Sequence, residues 1–201
     1  MVQKRLKLRG VSDPRVLAAM DKVDRARFVP PDMQPQAYDD RALGIGFGQT
    51  ISQPYIVALM SELLELQGHE RVLEIGAGSG YQTALLAELA QDIYSLEIVP
   101  ELAARSSELL KKLGYKNIHV RQSSDLKGWK EMAPFEAIIV TCAPERLPSL
   151  LIEQLADDGR LVIPIGAPPK QMLTRFRKTN GELTPEPVIP VSFVPMTGDL
   201  Q

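Results

Sequence analysis

The fold is decided by the stretch Val72-Leu73-Glu74-Ile75-Gly76-Ala77-Gly78-Ser79-Gly80-Tyr81, an apolar segment that runs into a glycine-rich turn. The apolar residues indicate a buried strand, and the Ala- and Leu-rich segment that begins at Tyr81 indicates a helix. Glycine adopts backbone angles that other residues avoid, so such a turn lets the main chain approach a bound nucleotide closely. We therefore predict a nucleotide-like ligand at the carboxyl end of this strand.

Two residues of this stretch indicate which ligand the turn accepts. A dinucleotide would bring an anionic pyrophosphate, and its usual signature is G-x-G-x-x-G/A, whereas this chain has Tyr81 at the third position. S-adenosylmethionine instead carries a positively charged sulfonium and ammonium, which a carboxylate such as Glu74 attracts. The sequence thus favours S-adenosylmethionine over NAD.

Strand and helix patterns alternate along the chain after this turn. The predicted helices cover residues 13–29, 81–90, 101–113 and 148–155, with one more starting near residue 52, and the predicted strands cover residues 71–75, 93–98, 118–121, 135–141, 160–165, 171–178 and 188–194. Such alternation predicts an α/β, Rossmann-like fold, a mostly parallel doubly wound sheet with helices on both faces. The order of the last two strands is left open.

We expect one domain over residues 1–201, with an N-terminal helical and loop extension (1–55) before a Rossmann-like core (56–201). The basic start of the chain is expected to be a solvated terminus. Net charge −2 and pI near 5.8 argue against nucleic acid as a partner, and no apolar run is long enough for a membrane span. A single cysteine and two histidines without ligand spacing predict no metal and a reducing, cytoplasmic location.

Residues 46–54, Gly-Phe-Gly-Gln-Thr-Ile-Ser-Gln-Pro, form a second unusual segment. Its glycine density predicts a loop rather than an ordinary strand or helix, and Ser52 is expected to cap the following helix. Exposed N–H groups at that helix start, with the hydroxyls of Thr50 and Ser52, would hold a carboxylate beside the cofactor. Glu97 ends the second predicted strand of the alternation, where an acidic residue accepts hydrogen bonds from ribose hydroxyls.

Four motifs, in this order, resemble the protein-L-isoaspartate O-methyltransferase family: GFGQTISQP, VLEIGAGSGYQTALLA, APFEAIIVTCAP, and LVIPIG with a following Gln171. The opening VLAAMDKVDRARFVP and the closing VSFVPMTG are similar to bacterial members, so the resemblance extends over nearly the whole chain. VLEIGAGSG marks only an adenosylmethionine-binding fold, whereas GQTISQP is the specific part.

The resemblance implies a repair enzyme. A methyl group moves from S-adenosylmethionine, leaving S-adenosyl-L-homocysteine, to the carboxylate of an L-isoaspartyl or D-aspartyl residue in a damaged protein, and the ester then closes to a succinimide. A carboxylate is already ionised at neutral pH, so no strong general base is needed. Damaged proteins and peptides are the implied partners, and we expect a monomer.

The family pattern also implies roles for individual residues. Ser52 is implied as the catalytic residue that holds and orients the substrate carboxylate, and not as a nucleophile because no base partner is visible. The implied substrate contacts are Thr50, Ile51 and Ser52. The implied cofactor contacts are Thr50, Gln53, Glu74, Gly76, Gly78, Gly80 and Glu97.

The chain departs from the family pattern where members usually carry Gly-Asp-Gly, whose Asp contacts the adenine amino group. Here Ser123-Ser124-Asp125 stands in its place, so Ser124 occupies the Asp position. Either Asp125 replaces the adenine contact, or Ser124 makes a weaker one. Loss of a charged acceptor costs about 1.5–3 kcal/mol.

Three alternatives remain beside the repair methyltransferase. The first is a methyltransferase for another carboxylate, a small molecule or RNA, and the acidic pI disfavours RNA. The second is a divergent adenosylmethionine-binding member of the family with weak or different activity, which the change at Ser124 and Asp125 favours. The third is an NAD oxidoreductase, which Tyr81 disfavours because it breaks the fingerprint.

Overall fold

The computed structural model describes residues 2–124 and 128–196. The helices are α1 (Val2–Leu8), α2 (Pro14–Lys22), α3 (Pro54–Leu63), α4 (Tyr81–Ala87), α5 (Pro100–Lys112) and α6 (Ser149–Gln154). The strands are β1 (Leu43–Gly46), β2 (Gln49–Ile51), β3 (Arg71–Ile75), β4 (Asp92–Glu97), β5 (Ile118–Gln122), β6 (Phe135–Val140), β7 (Leu155–Ile165), β8 (Gln171–Thr179) and β9 (Glu182–Val191).

The main sheet has seven strands in the order β5-β4-β3-β6-β7-β8-β9. Neighbours from β5 to β7 are parallel, and β8 and β9 extend the sheet as antiparallel strands. The chain moves outward from β3 through β4 to β5 and then returns to the other side of β3 with β6. The predicted mostly parallel, doubly wound sheet is confirmed, and its switch point, where ligands of such sheets bind, lies at β3.

The strands are buried on both faces because successive side chains of a strand point to opposite sides. Val72 belongs to the larger apolar cluster, which α2 to α5 cover, whereas Leu73 belongs to the smaller cluster, which includes Leu151 of α6. The same alternation places Ile139 in the first cluster and Ile138 in the second. Helices therefore cover both faces of the sheet, as the sequence predicts.

The N-terminal extension packs into the larger cluster. Leu6 of α1 is 2% exposed and belongs to this cluster, so the expectation of a solvated terminus is wrong for this helix. The predicted helix 13–29 is also shorter than expected. It ends as α2 at Lys22, and a separate 3-10 turn, Arg25–Phe28, follows with Asp24 as its cap.

None of the helices in residues 2–124 and 128–196 has the length and hydrophobicity of a membrane span.

Residues 43–51 form a hairpin and not the irregular loop predicted, because β1 pairs with β2. The three residues at its tip have positive φ angles: 91° for Gly46, 55° for Phe47 and 71° for Gly48. The two glycines adopt these angles without a steric penalty, whereas a bulky residue such as Phe47 rarely does. The expectation of unusual backbone angles is therefore confirmed, although the two strands were not foreseen.

Gln171 fixes the chain that follows β9. Its side chain is buried, its amide nitrogen donates to the Phe193 carbonyl at 3.1 Å, and its amide oxygen accepts from the Phe193 N–H at 2.5 Å. These two bonds continue the pairing of β8 with the chain beyond Val191, where β9 ends. Residues 189–194 thereby follow a fixed path along the sheet edge.

Candidate active site

A cavity of about 440 Å³ lies beside the carboxyl ends of the parallel strands. Its walls come from the N-terminal extension, the start of α3 and residues 189–194. Two smaller niches lie against the glycine turn, and each is lined by Gly76 and Gly78. Thr50 and Thr141 line the cavity and both niches. These two threonines therefore mark the place where the three spaces meet.

The glycine turn is tied to the two strands that flank β3. The N–H groups of Gly76 and Ala77 donate to the Leu96 carbonyl of β4 at 2.7 and 3.1 Å. On the other side, the Thr141 hydroxyl donates to the Gly76 carbonyl at 2.6 Å. A Cβ on Gly76 would lie 2.4 Å from Oγ1 of Thr141, and Gly76 has a φ of 97°. Glycine is therefore required at this position on both steric and conformational grounds.

Gly78 and Gly80 have different roles in the turn. Gly78 lines both niches, whereas a Cβ on Gly80 would lie 3.2 Å from Ser106 Cβ and 3.3 Å from Leu110 Cδ1 of α5. Gly80 is the N-cap residue of α4. Its lack of a side chain lets the end of the turn approach α5, and Gly80 lines neither the cavity nor the niches, so the structure shows a packing role for it.

Glu97 lies where the sequence placed it, at the end of β4 and against one niche. Its side chain is almost fully buried, and its Oε2 accepts from the Gly78 N–H at 2.7 Å. Its Oε1 accepts from the Val99 N–H at 2.9 Å. A carboxylate has about four acceptor positions, so Glu97 can still receive hydrogen bonds from a ligand hydroxyl.

Glu74 lies in β3, just before the turn, and lines neither niche. It is fully buried, and its Oε2 accepts hydrogen bonds from Thr83 at 2.6 Å and Ser95 at 2.5 Å. Its Oε1 is buried without a partner. Burial raises the pKa of Glu74 to about 7, and the negative charge of Glu97 adds to the rise. Direct attraction of a cationic ligand by Glu74, as expected from the sequence, has no support in this geometry.

Thr50 and Ser52 line the large cavity, and neither hydroxyl takes part in a hydrogen bond with any described residue. Ser52 does not cap α3, because Gln53 is the N-cap residue and makes no side-chain cap bond. Gln53 instead donates to the Asp40 carbonyl at 2.8 Å and lines the cavity but neither niche. Ile51 is buried and lines one niche. The site therefore has two free hydroxyl groups next to the glycine turn.

Thr141 and Cys142 are site residues that the sequence reasoning missed. They follow directly after β6, and their position after a buried parallel strand was the available signal. Cys142 lines the niche that contains Glu97, and burial, with the nearby charge of Glu97, raises the pKa of its thiol to about 12. The thiol is therefore protonated at neutral pH.

Ser124 is exposed, and Asp125 lies outside the described residues. Among the described residues that line the cavity and the two niches there is no His or Lys, so these residues offer no neutral general base. In residues 2–124 and 128–196 no three His, Cys, Asp or Glu side chains are grouped as metal ligands would be.

Glu74→Gln tests the buried carboxyl group. Because the folded protein raises its pKa from 4.5 to about 7, Glu74 stabilises the wild-type protein fully below pH 4.5, and this contribution is lost as the pH rises to about 7. The free energy of unfolding of the wild type should therefore fall across this range relative to the variant, by on the order of 3 kcal/mol. Urea unfolding at a series of pH values measures it. Exposed Glu145→Gln is the control, and an equal pH dependence in wild type and Glu74→Gln would contradict the burial argument.

Comparison with known proteins agrees with this geometry. The family profile described as protein-L-isoaspartate(D-aspartate) O-methyltransferase matches residues 1–201. A protein-L-isoaspartate O-methyltransferase of Gloeobacter violaceus is 51% identical over 198 residues, covering 98% of this chain and 97% of the relative. One of Anaeromyxobacter dehalogenans is 54% identical over 191 residues, covering 94% and 91%.

A solved structure is similar as well. The beta-aspartate methyltransferase of Plasmodium falciparum, in complex with S-adenosyl-L-homocysteine, superposes with a TM-score of 0.85 at 29% identity, covering 98% of this chain and 96% of that one. A second solved protein-L-isoaspartate O-methyltransferase has a TM-score of 0.89 at 27% identity, covering 99% of this chain and 66% of that one. The glycine turn, the flanking hydroxyls and the match over the whole chain lead to one conclusion: this chain belongs to the protein-L-isoaspartate(D-aspartate) O-methyltransferase family.

Proposed function

We propose that this chain is an S-adenosylmethionine-dependent protein carboxyl methyltransferase that acts on L-isoaspartyl and D-aspartyl residues of damaged proteins and so starts their repair through a succinimide. The observation that carries the proposal is the junction at Thr50 and Thr141, which joins a large cavity for a peptide to two niches on the glycine turn. A donor and an acceptor bound on opposite sides of this junction have their reacting groups close together, which lowers the barrier.

The residues around the turn fit S-adenosylmethionine, which supplies an activated methyl group. The main chain at Gly76 and Gly78 can be approached closely because neither residue has a side chain, and these glycines would hold the methionine part. Glu97 would accept hydrogen bonds from the ribose hydroxyls. Ser124 or Asp125 would contact the adenine. Glu74 would act indirectly, by supporting the turn from below.

The hydroxyl groups of Thr50 and Ser52 would hold the substrate carboxylate at the junction, with Ile51 shaping the neighbouring niche. The carboxylate is ionised at neutral pH and attacks without a general base, which accords with walls that contain neither His nor Lys. The role of Ser52 is orientation. A nucleophilic role would need a base partner, and its hydroxyl has no such partner among the described residues.

We also propose that the chain works as one domain and as a monomer, on proteins and not on nucleic acids. The extension and the sheet share one apolar cluster. The edge strand β9 carries Pro185, Pro187 and Pro190, which limit pairing with a second sheet. The net charge of −2 offers no electrostatic attraction for nucleic acid. The single cysteine fits a reducing compartment such as the cytoplasm.

A transfer assay tests the proposed activity. The protein is incubated with methyl-labelled S-adenosylmethionine and one of two matched peptides that differ only in having isoaspartate or aspartate. We expect base-labile methyl ester on the isoaspartyl peptide alone. Cofactor binding without transfer to either peptide would instead favour the divergent, inactive family member.

Ser52→Ala tests the orienting role of the hydroxyl. Loss of orientation by about 1 Å costs about 10²-fold in rate, so we expect kcat to fall by tenfold or more, with the affinity for S-adenosylmethionine nearly unchanged. Calorimetry measures the affinity, and exposed Ser149→Ala is the matched control. A large loss of cofactor binding in Ser52→Ala would place this residue on the cofactor and not on the substrate.

Gly76→Ala tests the glycine turn as the cofactor site. The added methyl group meets Thr141 Oγ1 at 2.4 Å, so we expect the turn to shift and S-adenosylmethionine binding to fall below detection. Gly114→Ala is the control, because Gly114 has a φ of 88° but nothing within 4 Å of an added Cβ. It should lose about 1 kcal/mol of stability and keep its cofactor affinity. Equal affinities in the two variants would show that the turn does not hold the cofactor.

A further inference from the structure

Arg9 is the only charged residue among the described residues that line the large cavity. The other lining residues are apolar side chains, hydroxyls, the phenol of Tyr55 and the amide of Gln53. Arg9 lines neither of the two niches on the glycine turn. Arg9, which forms a salt bridge with Asp40, therefore lies on the wall of the large cavity and outside both niches.

The backbone of Arg9 is firmly held. Arg9 follows α1, and the Val11 N–H donates to the Leu6 carbonyl at 3.1 Å across Gly10, which has a φ of 94°. Leu6 and Val11 are each 2% exposed and belong to the large apolar cluster. The side chain of Arg9 thus projects from a segment anchored on both sides.

The guanidinium of Arg9 is oriented by two neighbours. Its Cζ lies 3.6 Å from the ring centroid of Tyr55, which is a cation–π contact. Its Nη1 donates to Oδ2 of Asp40 at 2.7 Å. Nε and Nη2 make no hydrogen bond to the residues that the structure describes, and the side chain is 42% exposed. One side of the planar group is thus free, and Arg presents such donors in a geometry that matches a carboxylate.

A location on the cavity wall and outside both niches suits a role in binding. A guanidinium beside the reacting carboxylate would stabilise that anion before the reaction and oppose a positively charged methyl donor. On the cavity wall, outside the niches that adjoin the glycine turn, the same charge would strengthen substrate binding equally before and during the reaction. Such uniform binding lowers KM and leaves kcat unchanged.

We infer that Arg9 is a specificity-determining residue that binds the carboxylate of an acidic side chain flanking the damaged residue. The inference rests on the proposed function, because it concerns the peptide that carries the isoaspartate. An acidic flank is favoured over a main-chain carbonyl because a guanidinium binds a charged carboxylate more strongly than a neutral acceptor.

The test compares isoaspartyl peptides that carry Glu, Gln or Lys at one of the two positions on either side of the isoaspartate. For the wild type we expect at least one position where Glu lowers KM by about two- to fivefold relative to Gln, the range of a partly exposed ion pair. Lys at that position should raise KM, and kcat should not change. The ratio of the Glu and Gln values should approach one in about 1 M salt, where the Debye length is about 3 Å.

Three variants distinguish the cause of that preference. Arg9→Gln should remove it, and Arg9→Lys should retain part of it, because the charge remains but the planar donors do not. Arg5→Gln, an exposed residue of α1 that does not line the cavity, should behave as the wild type. Thermal melting of each variant confirms that the fold is intact.

An unchanged Glu-to-Gln ratio in Arg9→Gln would overturn the inference. It would also be overturned by an equal rise of KM for all three peptides, because Arg9 would then bind the peptide main chain. If the wild type esterifies no isoaspartyl peptide at all, the proposed function fails instead, so the two failures are distinguishable.

Discussion

The Thr141 hydroxyl donates to the Gly76 carbonyl at 2.6 Å, and this bond ties the glycine turn to the strand on one side of it. On the other side, Leu96 and Glu97 accept hydrogen bonds from the N–H groups of the turn. The turn is therefore fixed between β4 and β6, at the point where the strand order reverses. Each group proposed to take part in the reaction is positioned relative to this turn, so the site depends on its geometry.

The site is otherwise assembled from distant parts of the chain. The β1–β2 hairpin brings Thr50 to the turn, and Arg105 of α5 donates to the Ile45 carbonyl at 2.8 Å to hold that hairpin in place. Gln171 holds Phe193 on the far wall. The β1–β2 hairpin and residues 189–194 therefore complete the cavity, although neither belongs to the parallel part of the sheet. Their fixed positions fit the proposed role of the site, which is to orient the reacting groups.

Much of the fold could be predicted from local pattern. Apolar periodicity predicted the strand at Val72 to Ile75, the helix after Tyr81 and the alternation that follows. The structure confirms these elements. The resemblance carried by GQTISQP also led to the family that the comparisons establish. By contrast, α1 was missed because its basic residues indicated a solvated terminus, whereas the burial of Leu6 becomes visible only in the structure.

The candidate site was less predictable, since several roles depend on where a side chain points. The sequence placed Glu74 beside a cationic ligand, but the carboxyl group turns under the strand toward Thr83 and Ser95. Gly80 looked like a ligand contact and packs against α5. Thr141 and Arg9 gave little signal, because a threonine after a strand or an arginine after a helix is ordinary in isolation.

The sequence by itself determined the order of most elements, the alternation that gives a mostly parallel sheet and the glycine turn at the end of β3. These follow from short-range patterns, since periodicity and backbone freedom are properties of neighbouring residues. Only the tertiary structure decided that Thr50 and Thr141 meet at the junction, that Glu74 is buried and that Arg9 enters the cavity wall. Those facts depend on contacts between residues far apart in the chain, and only packing of the whole fold determines them.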